Sequence, residues 1–266
     1  MRRALPFFVL LSLTGCVAVT NLDKFSRRPP TNPAFHDVEL SVSGMTSHVK
    51  EYFEARIVDE AGVIQTRLVS EVLGGEAEAF TIPAAAPNGS NLRIEFYADH
   101  NHDGVFSLAP TPSDHSWIVT LNQFAPDTLD DVIRVPFAHN TSFQTIDVEK
   151  TFGTDARIHV VNAGALVGKR IQLRVADASS RHTVGLYRVP VISKAAFDAQ
   201  IRSIIDPAEG TRYQLEVSID DGAGGAIQGF RDFAVSTGAR PGLQMTFDPA
   251  VTPAASDVLP AQEGTL

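Results

Sequence analysis

Residues that could do chemistry are concentrated in one short run, residues 99–104, which reads Asp-His-Asn-His-Asp-Gly. Oxygen-bearing side chains occupy its first, third and fifth positions and glycine its sixth, which is the spacing of a calcium-binding loop. Alternate residues converge on one centre in such a loop, and the glycine permits its sharp turn. The spacing therefore predicts a Ca²⁺ site that includes Asp99, Asn101 and Asp103.

The remaining ligands have to come from outside this run, because Ca²⁺ takes roughly six to eight oxygens. An EF-hand would place a glutamate at the twelfth position, where this chain has Pro110, so a helix-flanked EF-hand is excluded. The carboxylate of Asp114, with backbone carbonyls near Val105 and Phe106, is predicted to complete the site. The alternative is an ordinary turn, since Asp, Asn and Gly form turns without an ion.

Three histidines in and after this run allow a different metal. His100 and His102 could face one another on extended backbone, and His115 lies two residues before Trp117, the only tryptophan. Imidazoles near carboxylates hold zinc, copper or nickel. A transition-metal site at these histidines, in an enzyme or a carbohydrate-binding module, is the second hypothesis, and plain exposed histidines are the third.

The same stretch resembles a motif of uncharacterised secreted or lipid-anchored bacterial proteins. Residues 97–106 read Tyr-Ala-Asp-His-Asn-His-Asp-Gly-Val-Phe, and Ala-Pro and Asp-His-Ser-Trp follow at 109–110 and 114–117. Those proteins carry an aromatic-Ala-Asp-His-Asn-Gly-Asn-Gly run, a Tyr-Asp-Ala-Pro-Pro segment and Asp-His-Ala-Trp. The resemblance implies β-sandwich repeats behind a lipoprotein signal. Ser107 replaces the acidic residue of that motif, which weakens the case for full metal coordination.

The amino terminus has the layout of a secretory signal. Arg2 and Arg3 precede an apolar run, Leu5–Leu13, that is shorter than the roughly 20 residues a bilayer requires. Residues 13–16 read Leu-Thr-Gly-Cys, which resembles the lipobox of bacterial lipoproteins and implies cleavage before Cys16 and its acylation. Cys16 is the only cysteine in the chain, so no internal disulfide can form.

Acylation would make the lipid bilayer the first partner, because two or three acyl chains on one cysteine anchor a protein durably. Removing the signal leaves 20 basic against 31 acidic residues, a net charge of −11, which opposes binding to nucleic acid. The identity of a protein or glycan partner stays open. Val17 follows the cysteine in place of an aspartate retention signal, which favours the outer membrane of a bacterial cell envelope.

The chain divides into a signal peptide (1–15), a lipidated tether rich in proline (16–34), two domains (35–150 and 151–247) and a disordered tail (248–266). The two domains look duplicated. The segments beginning at Leu40 and Phe53 resemble those beginning at Ile158 and Ile171, both at a shift of 118 residues. A third pair begins at residues 92 and 213, and coincidence of two similar β-domains is the alternative.

Each unit shows polar and apolar residues in alternation, punctuated by Gly, Asn, Asp and Pro. The prediction is an all-β fold of two tandem antiparallel β-sandwiches, immunoglobulin-like or prealbumin-like. One segment breaks the alternation: residues 193–206 carry apolar side chains at positions 197, 201, 204 and 205, which predicts a short helix inserted in the second sandwich.

Motifs for catalysis are missing from the sequence. It contains no Gly-x-Ser-x-Gly elbow, no His-Glu-x-x-His helix and no phosphate-binding glycine loop. The prediction is therefore a non-enzymatic, lipid-anchored binding or structural module of the cell envelope, with Ca²⁺ stabilising the loop that starts at Asp99.

Overall fold

The computed structural model describes residues 34–107, 113–127, 129–146, 154–205, 212–220, 226–234 and 243–249. These residues belong to one compact unit that covers residues 32–266. The predicted signal peptide, Cys16, the tether as far as residue 33 and the tail from residue 250 lie outside the described residues. Within the described ranges, no helix is long and apolar enough to cross a membrane.

The predicted all-β fold is confirmed, since β-strands form all the longer elements of the described chain. The first half contains β1 (Phe35–Ser43), β2 (Tyr52–Asp59), β3 (Ile64–Ser70), β4 (Glu78–Pro87), β5 (Leu92–Asp99), β6 (His115–Thr120) and β7 (Val132–Ala138). The second half contains β8 (Thr154–Val160), β9 (Arg170–Asp177), β10 (Thr183–Val189), β11 (Phe197–Ile205), β12 (Arg212–Asp220), β13 (Ala226–Ala234) and β14 (Leu243–Phe247). Short 3₁₀ helices occupy Thr46–His48, Leu121–Gln123 and Ala163–Leu166.

The strands form three sheets whose pairing repeats from one half to the other. In the first half, β1 lies between β4 and β7, and in the second half β8 lies between β11 and β14. The other eight strands form one sheet in the order β13-β12-β9-β10-β3-β2-β5-β6, so both halves contribute four strands to it. The segments that the sequence paired lie in equivalent strands: β1 with β8, β2 with β9, and β5 with β12.

Each three-stranded sheet packs on its own half of the eight-stranded sheet, and the two hydrophobic cores lie on opposite faces. Leu68 of β3 and Leu186 of β10 belong to the first core, whereas their chain neighbours Val69 and Tyr187 belong to the second. Neighbouring residues of a strand point to opposite faces, so the sheet separates the two cores. The halves meet where β3 and β10 pair in parallel.

This strand order can be compared with that of an immunoglobulin domain. In an immunoglobulin constant domain the first strand shares a sheet with the second, fourth and fifth strands. Here β1 shares a sheet with β4 and β7, and β2 lies in the opposite sheet with β3, β5 and β6. The order therefore departs from that of an immunoglobulin constant domain.

The helix predicted over residues 193–206 is wrong. Most of that segment is β11, which pairs antiparallel with β8. The apolar spacing that looked helical comes from a bulge: Ala199 and Ile201 alternate towards the core, the register then shifts, and Ile204 is buried three positions after Ile201. The step from Ile201 to Ile205 on β11 faces the shorter step from Ala156 to Thr154 on β8, so β11 carries two extra residues, and these change the period of its buried side chains.

The equivalent bulge interrupts β4, with the same supporting contact. Ala84 has a φ of 46°, and its N–H donates to Oδ1 of Asp37 at 2.8 Å. Ser203 in β11 has a φ of 51°, and its N–H donates to Oδ1 of Asp155 at 3.1 Å. Left-handed backbone costs a residue with a side chain about 1–2 kcal/mol. Each half therefore holds an equivalent strained residue with an equivalent aspartate, Asp37 in the first half and Asp155 in the second.

Candidate functional site

The predicted calcium loop leaves the carboxyl end of β5, and its aspartates hold the backbone in a tight turn. Asp99 is completely buried, and its carboxylate accepts hydrogen bonds from the N–H groups of Asp103 (3.3 Å) and Gly104 (2.6 Å). Asp114 returns just before β6 and accepts from the N–H groups of His100 (3.0 Å) and Ser107 (2.6 Å). The structure therefore brings Asp99 and Asp114 to the same loop.

The two middle residues of the loop bond to each other and to the backbone. Oδ1 of Asn101 accepts from the N–H of Asp103 at 3.0 Å, and its amide donates to Oδ2 of Asp103 at 3.0 Å. Oδ1 of Asp103 accepts from the N–H of Val105 at 2.8 Å. These are the local contacts by which Asp and Asn form turns without an ion, so the loop geometry is compatible with either hypothesis.

Burial raises the pKa of Asp114, the nearby charge of Asp99 adds to this effect, and the N–H donors of Ser107 and His100 oppose it. The loop thus holds two carboxylates that repel each other. A bound cation would relieve that repulsion. In the part of the chain that the structure describes, no three or more His, Cys, Asp or Glu side chains form a ready-made metal site.

Next to this loop, four histidines and one glutamate gather at the same end of the first sandwich. We call them the histidine cluster: His48, Glu51, His100, His115 and His139. His48 ends the first 3₁₀ helix and Glu51 follows it, while His100 follows β5, His115 begins β6 and His139 follows β7. Four separate segments of the first half therefore supply the cluster, and the fold brings them together.

The cluster is organised around Glu51 and His48, which is only 1% exposed. Nδ1 of His48 donates to Oε2 of Glu51 at 2.8 Å, and Nδ1 of His100 donates to Oε1 of the same carboxylate at 2.9 Å. Nε2 of His48 lies 3.2 Å from Nε2 of His139 and 3.5 Å from Nδ1 of His115. Two imidazoles therefore direct nitrogen atoms at the same nitrogen of His48.

Aromatic rings pack around these imidazoles. The ring of His115 stacks on His100 (5.2 Å between centroids) and on Phe143 (4.0 Å), and Trp117 contacts the rings of His48 and His139 edge-on. Burial lowers the pKa of His115, and the neighbouring His48 and His100 lower it further. Burial and His48 likewise lower the pKa of His139.

The structure brings together only part of the histidine set that the sequence suggested. His100 and His115 stack on each other, but no described hydrogen bond or ring contact links His102 to the cluster, and its side chain is exposed. Conversely, sequence reasoning missed His48, Glu51 and His139. The only local sign was the three-residue spacing of His48 and Glu51, which is too common to identify a site.

Comparisons with known proteins show likeness only at a low level. No protein-family model matches the chain, and no curated protein matches it. Among solved structures, it is similar to a candidate cell adhesion protein from Bacteroides eggerthii, with 10% identity over 87% of this chain and 92% of that one, at a TM-score of 0.27. A second example is the fimbrial anchor protein Mfa2 from Porphyromonas gingivalis, with 10% identity over 71% of this chain and 80% of that one, at a TM-score of 0.24. A third is the shaft pilin spaA from Lactobacillus rhamnosus GG, with 10% identity over 85% of this chain and 100% of that one, at a TM-score of 0.24. Likeness at TM-scores this low does not indicate a function.

Proposed function

We propose that the protein is a non-enzymatic, lipid-anchored module of the bacterial cell envelope, held at Cys16 and displaying two β-sandwiches for a structural or binding role. The lipobox-like residues 13–16 support the anchor. The observation that carries the proposal is the position of β1, the first strand after the predicted tether. Residues 17–34 would span at most about 60 Å when fully extended, and β1 begins at residue 35.

Tension on an anchored amino terminus would act on β1 first, and β1 is the middle strand of its sheet. It pairs antiparallel with β4 on one side and in parallel with β7 on the other, over most of its length. Its side chains Val38, Leu40 and Val42 are buried in the first core. Extracting β1 along its axis requires both hydrogen-bond ladders and these core contacts to break, which suits a strand next to an anchor.

Buried polar contacts join the two sandwiches, which supports the idea that they are displayed as one body. The hydroxyl of Thr66 in β3 donates to the carbonyl oxygen of Thr183 in β10 at 2.6 Å. Arg188 of β10 forms an ion pair with Glu78 of β4 at 2.8 Å. Both partners of this ion pair are nearly buried, so the contact joins the halves in a region shielded from water.

Calcium binding at Asp99, Asn101, Asp103 and Asp114 is part of this proposal. Each carboxylate has about four lone-pair positions, and the N–H donors occupy only some of them. The remaining lone pairs of two mutually repelling carboxylates are suitable for a hard cation. The expected result for full-length protein in detergent is a higher melting temperature with Ca²⁺ than with EDTA, and no such difference in Asp103→Asn. An identical response of the two proteins would contradict calcium binding at the loop.

The anchor is tested by membrane fractionation and by labelling with radioactive palmitate. We expect wild-type protein to sediment with membranes and to incorporate label, and Cys16→Ser to do neither. The matched control is the double variant Cys16→Ser/Thr20→Cys, which restores a thiol four residues later without restoring the lipobox. Membrane attachment of Cys16→Ser would refute the proposal, and so would labelling of the double variant.

A further inference from the structure

The histidine cluster poses a hydrogen-bonding problem that its own groups do not solve. Because Nδ1 of His48 donates to Glu51, the Nε2 atom of neutral His48 has one lone pair and no proton. Nε2 of His139 and Nδ1 of His115 are both directed at that atom, at 3.2 and 3.5 Å. One lone pair accepts one good hydrogen bond. Nε2 of His48 can therefore accept a hydrogen bond from His139 or from His115, but not from both.

From this geometry we propose that His48, His115 and His139 bind a divalent transition-metal ion of the Zn²⁺ class, with Glu51 positioning His48. A tetrahedral Zn²⁺ site with Zn–N distances of about 2.0–2.1 Å separates its ligand nitrogens by roughly 3.3–3.4 Å. The two distances from His48 lie close to that separation. Imidazole ligands without a thiolate suit zinc, copper and nickel.

Glu51 is placed as the outer carboxylate of such a site. Metal-binding histidines usually donate their second ring N–H to a carboxylate, which fixes the tautomer and turns the other nitrogen towards the ion. His48 makes this contact in a position that is 1% exposed, so its Nε2 is held in one direction. The same carboxylate also accepts from His100, whose Nδ1 is therefore occupied and which is not assigned as a ligand.

Binding requires one adjustment, since three described side chains do not yet surround a common point. The ring of His115 has to shift within its own plane so that Nδ1 approaches both His48 and His139. This ring stacks between His100 and Phe143, and stacking permits it to slide and rotate in its plane. Three protein ligands would leave a fourth position for water in a tetrahedral site.

The site differs from the histidine set that the sequence suggested and does not depend on the anchor or on Ca²⁺. The proposed ligands include His48 and His139 but not His102, and His100 contacts Glu51 without binding the ion. A zinc site here can be present in a protein that lacks acylation, and it can be absent from one that is acylated. The two proposals therefore fail separately.

The test uses the full-length protein in detergent, purified without a histidine tag, stripped with EDTA and titrated with ZnCl₂ by calorimetry. We expect one Zn²⁺ per chain, and an affinity at least about tenfold lower in His115→Gln and in His139→Gln. Glu51→Gln is expected to lower the affinity by about 10–100-fold, as is typical of outer-sphere partners. His102→Gln is the matched control and is expected to bind as the wild type does.

Two further measurements keep the test decisive. Melting curves in EDTA show whether each variant is folded. His139 is half-exposed, so changing it is less disruptive to folding than changing the buried His48. Substitution with Co²⁺ is expected to give the strong visible absorption of a tetrahedral site in the wild type and to lose it in His139→Gln. Absence of zinc binding by the stripped wild type would overturn the inference, and so would wild-type affinity in folded His115→Gln or His139→Gln.

Discussion

The buried ion network on β2 and β3 gives the sharpest test of how the two halves depend on each other. Glu54 is 1% exposed and accepts from Nε of Arg56 at 2.7 Å, from Arg67 and from the hydroxyl of Tyr52 at 3.1 Å. It alternates with Phe53, which packs in the first core, so it lies on the opposite face of the shared sheet. Tyr52 packs against the second core, and β11 packs on β3.

Replacing Arg67 with Met breaks this network from one side. It leaves the carboxylate of Glu54 buried with one of its two arginine partners removed, and breaking a buried pair from one side costs about 3–5 kcal/mol. Because Arg56 remains, we expect a loss of about 3 kcal/mol in the free energy of unfolding. Replacing all three side chains, Glu54→Leu with Arg56→Met and Arg67→Met, is expected to recover part of that loss, since apolar replacements of buried ion pairs are often neutral.

The assay is equilibrium unfolding in urea, followed by the fluorescence of Trp117 in the first half and by far-ultraviolet circular dichroism for the whole chain. Arg134→Met is the matched control, because Arg134 makes its ion pairs with Asp127 and Asp130 at the surface, and its unfolding midpoint should stay near that of the wild type. A loss below about 1 kcal/mol in Arg67→Met would contradict the burial of this ion pair, because a fully buried pair costs more to break. Separate transitions in the two signals would refute the coupling of the halves.

Three further outcomes can be checked by the same unfolding measurements. Gly185→Ala should lower the free energy of unfolding by about 1–3 kcal/mol, because a Cβ would lie 2.5 Å from a buried isoleucine side chain of β11. The control Gly75→Ala should be near neutral, because its Cβ meets nothing closer than 3.7 Å. Asp37→Ala should lose about 1–3 kcal/mol because it removes the acceptor for the strained bulge, and the more exposed Asp155→Ala should lose less. Burial alone would raise the pKa of Glu54, but its arginine partners outweigh burial and lower that pKa. The contribution of Glu54 to stability is therefore present above about pH 4.3 and is lost as pH falls through the lower pKa of the folded state. Glu54→Gln should weaken this pH dependence of stability, and an unchanged acid unfolding profile would contradict it.

The strands could be predicted because their alternation is a local property of the sequence. Segments such as Phe53–Ile57 and Ile171–Val175 alternate without interruption, and both are strands. The false helix arose in β11, where a bulge at Ser203 changes the period of the buried side chains to three. A pattern of apolar residues alone does not separate such a bulge from a short helix.

The site was only partly predictable for a different reason. Asp99, Asn101 and Asp103 lie in one run, so their spacing carries information, and Asp114 lies just before the next strand. His48 and His139 are 91 residues apart and meet only because β1 and β7 are neighbours, with β1 ending before His48 and β7 ending before His139. The shared sheet was unpredictable as well, because it depends on which edge strands of the two sandwiches meet.

The pairing of β3 with β10 has a consequence for what each sandwich would do alone. In a separate sandwich either strand would be a sheet edge, with a row of backbone groups open to pairing with another chain. Each half therefore caps the other, and only β6 and β13 end the eight-stranded sheet. A polypeptide that stopped after residue 146 would expose β3 and is expected to form homodimers through it.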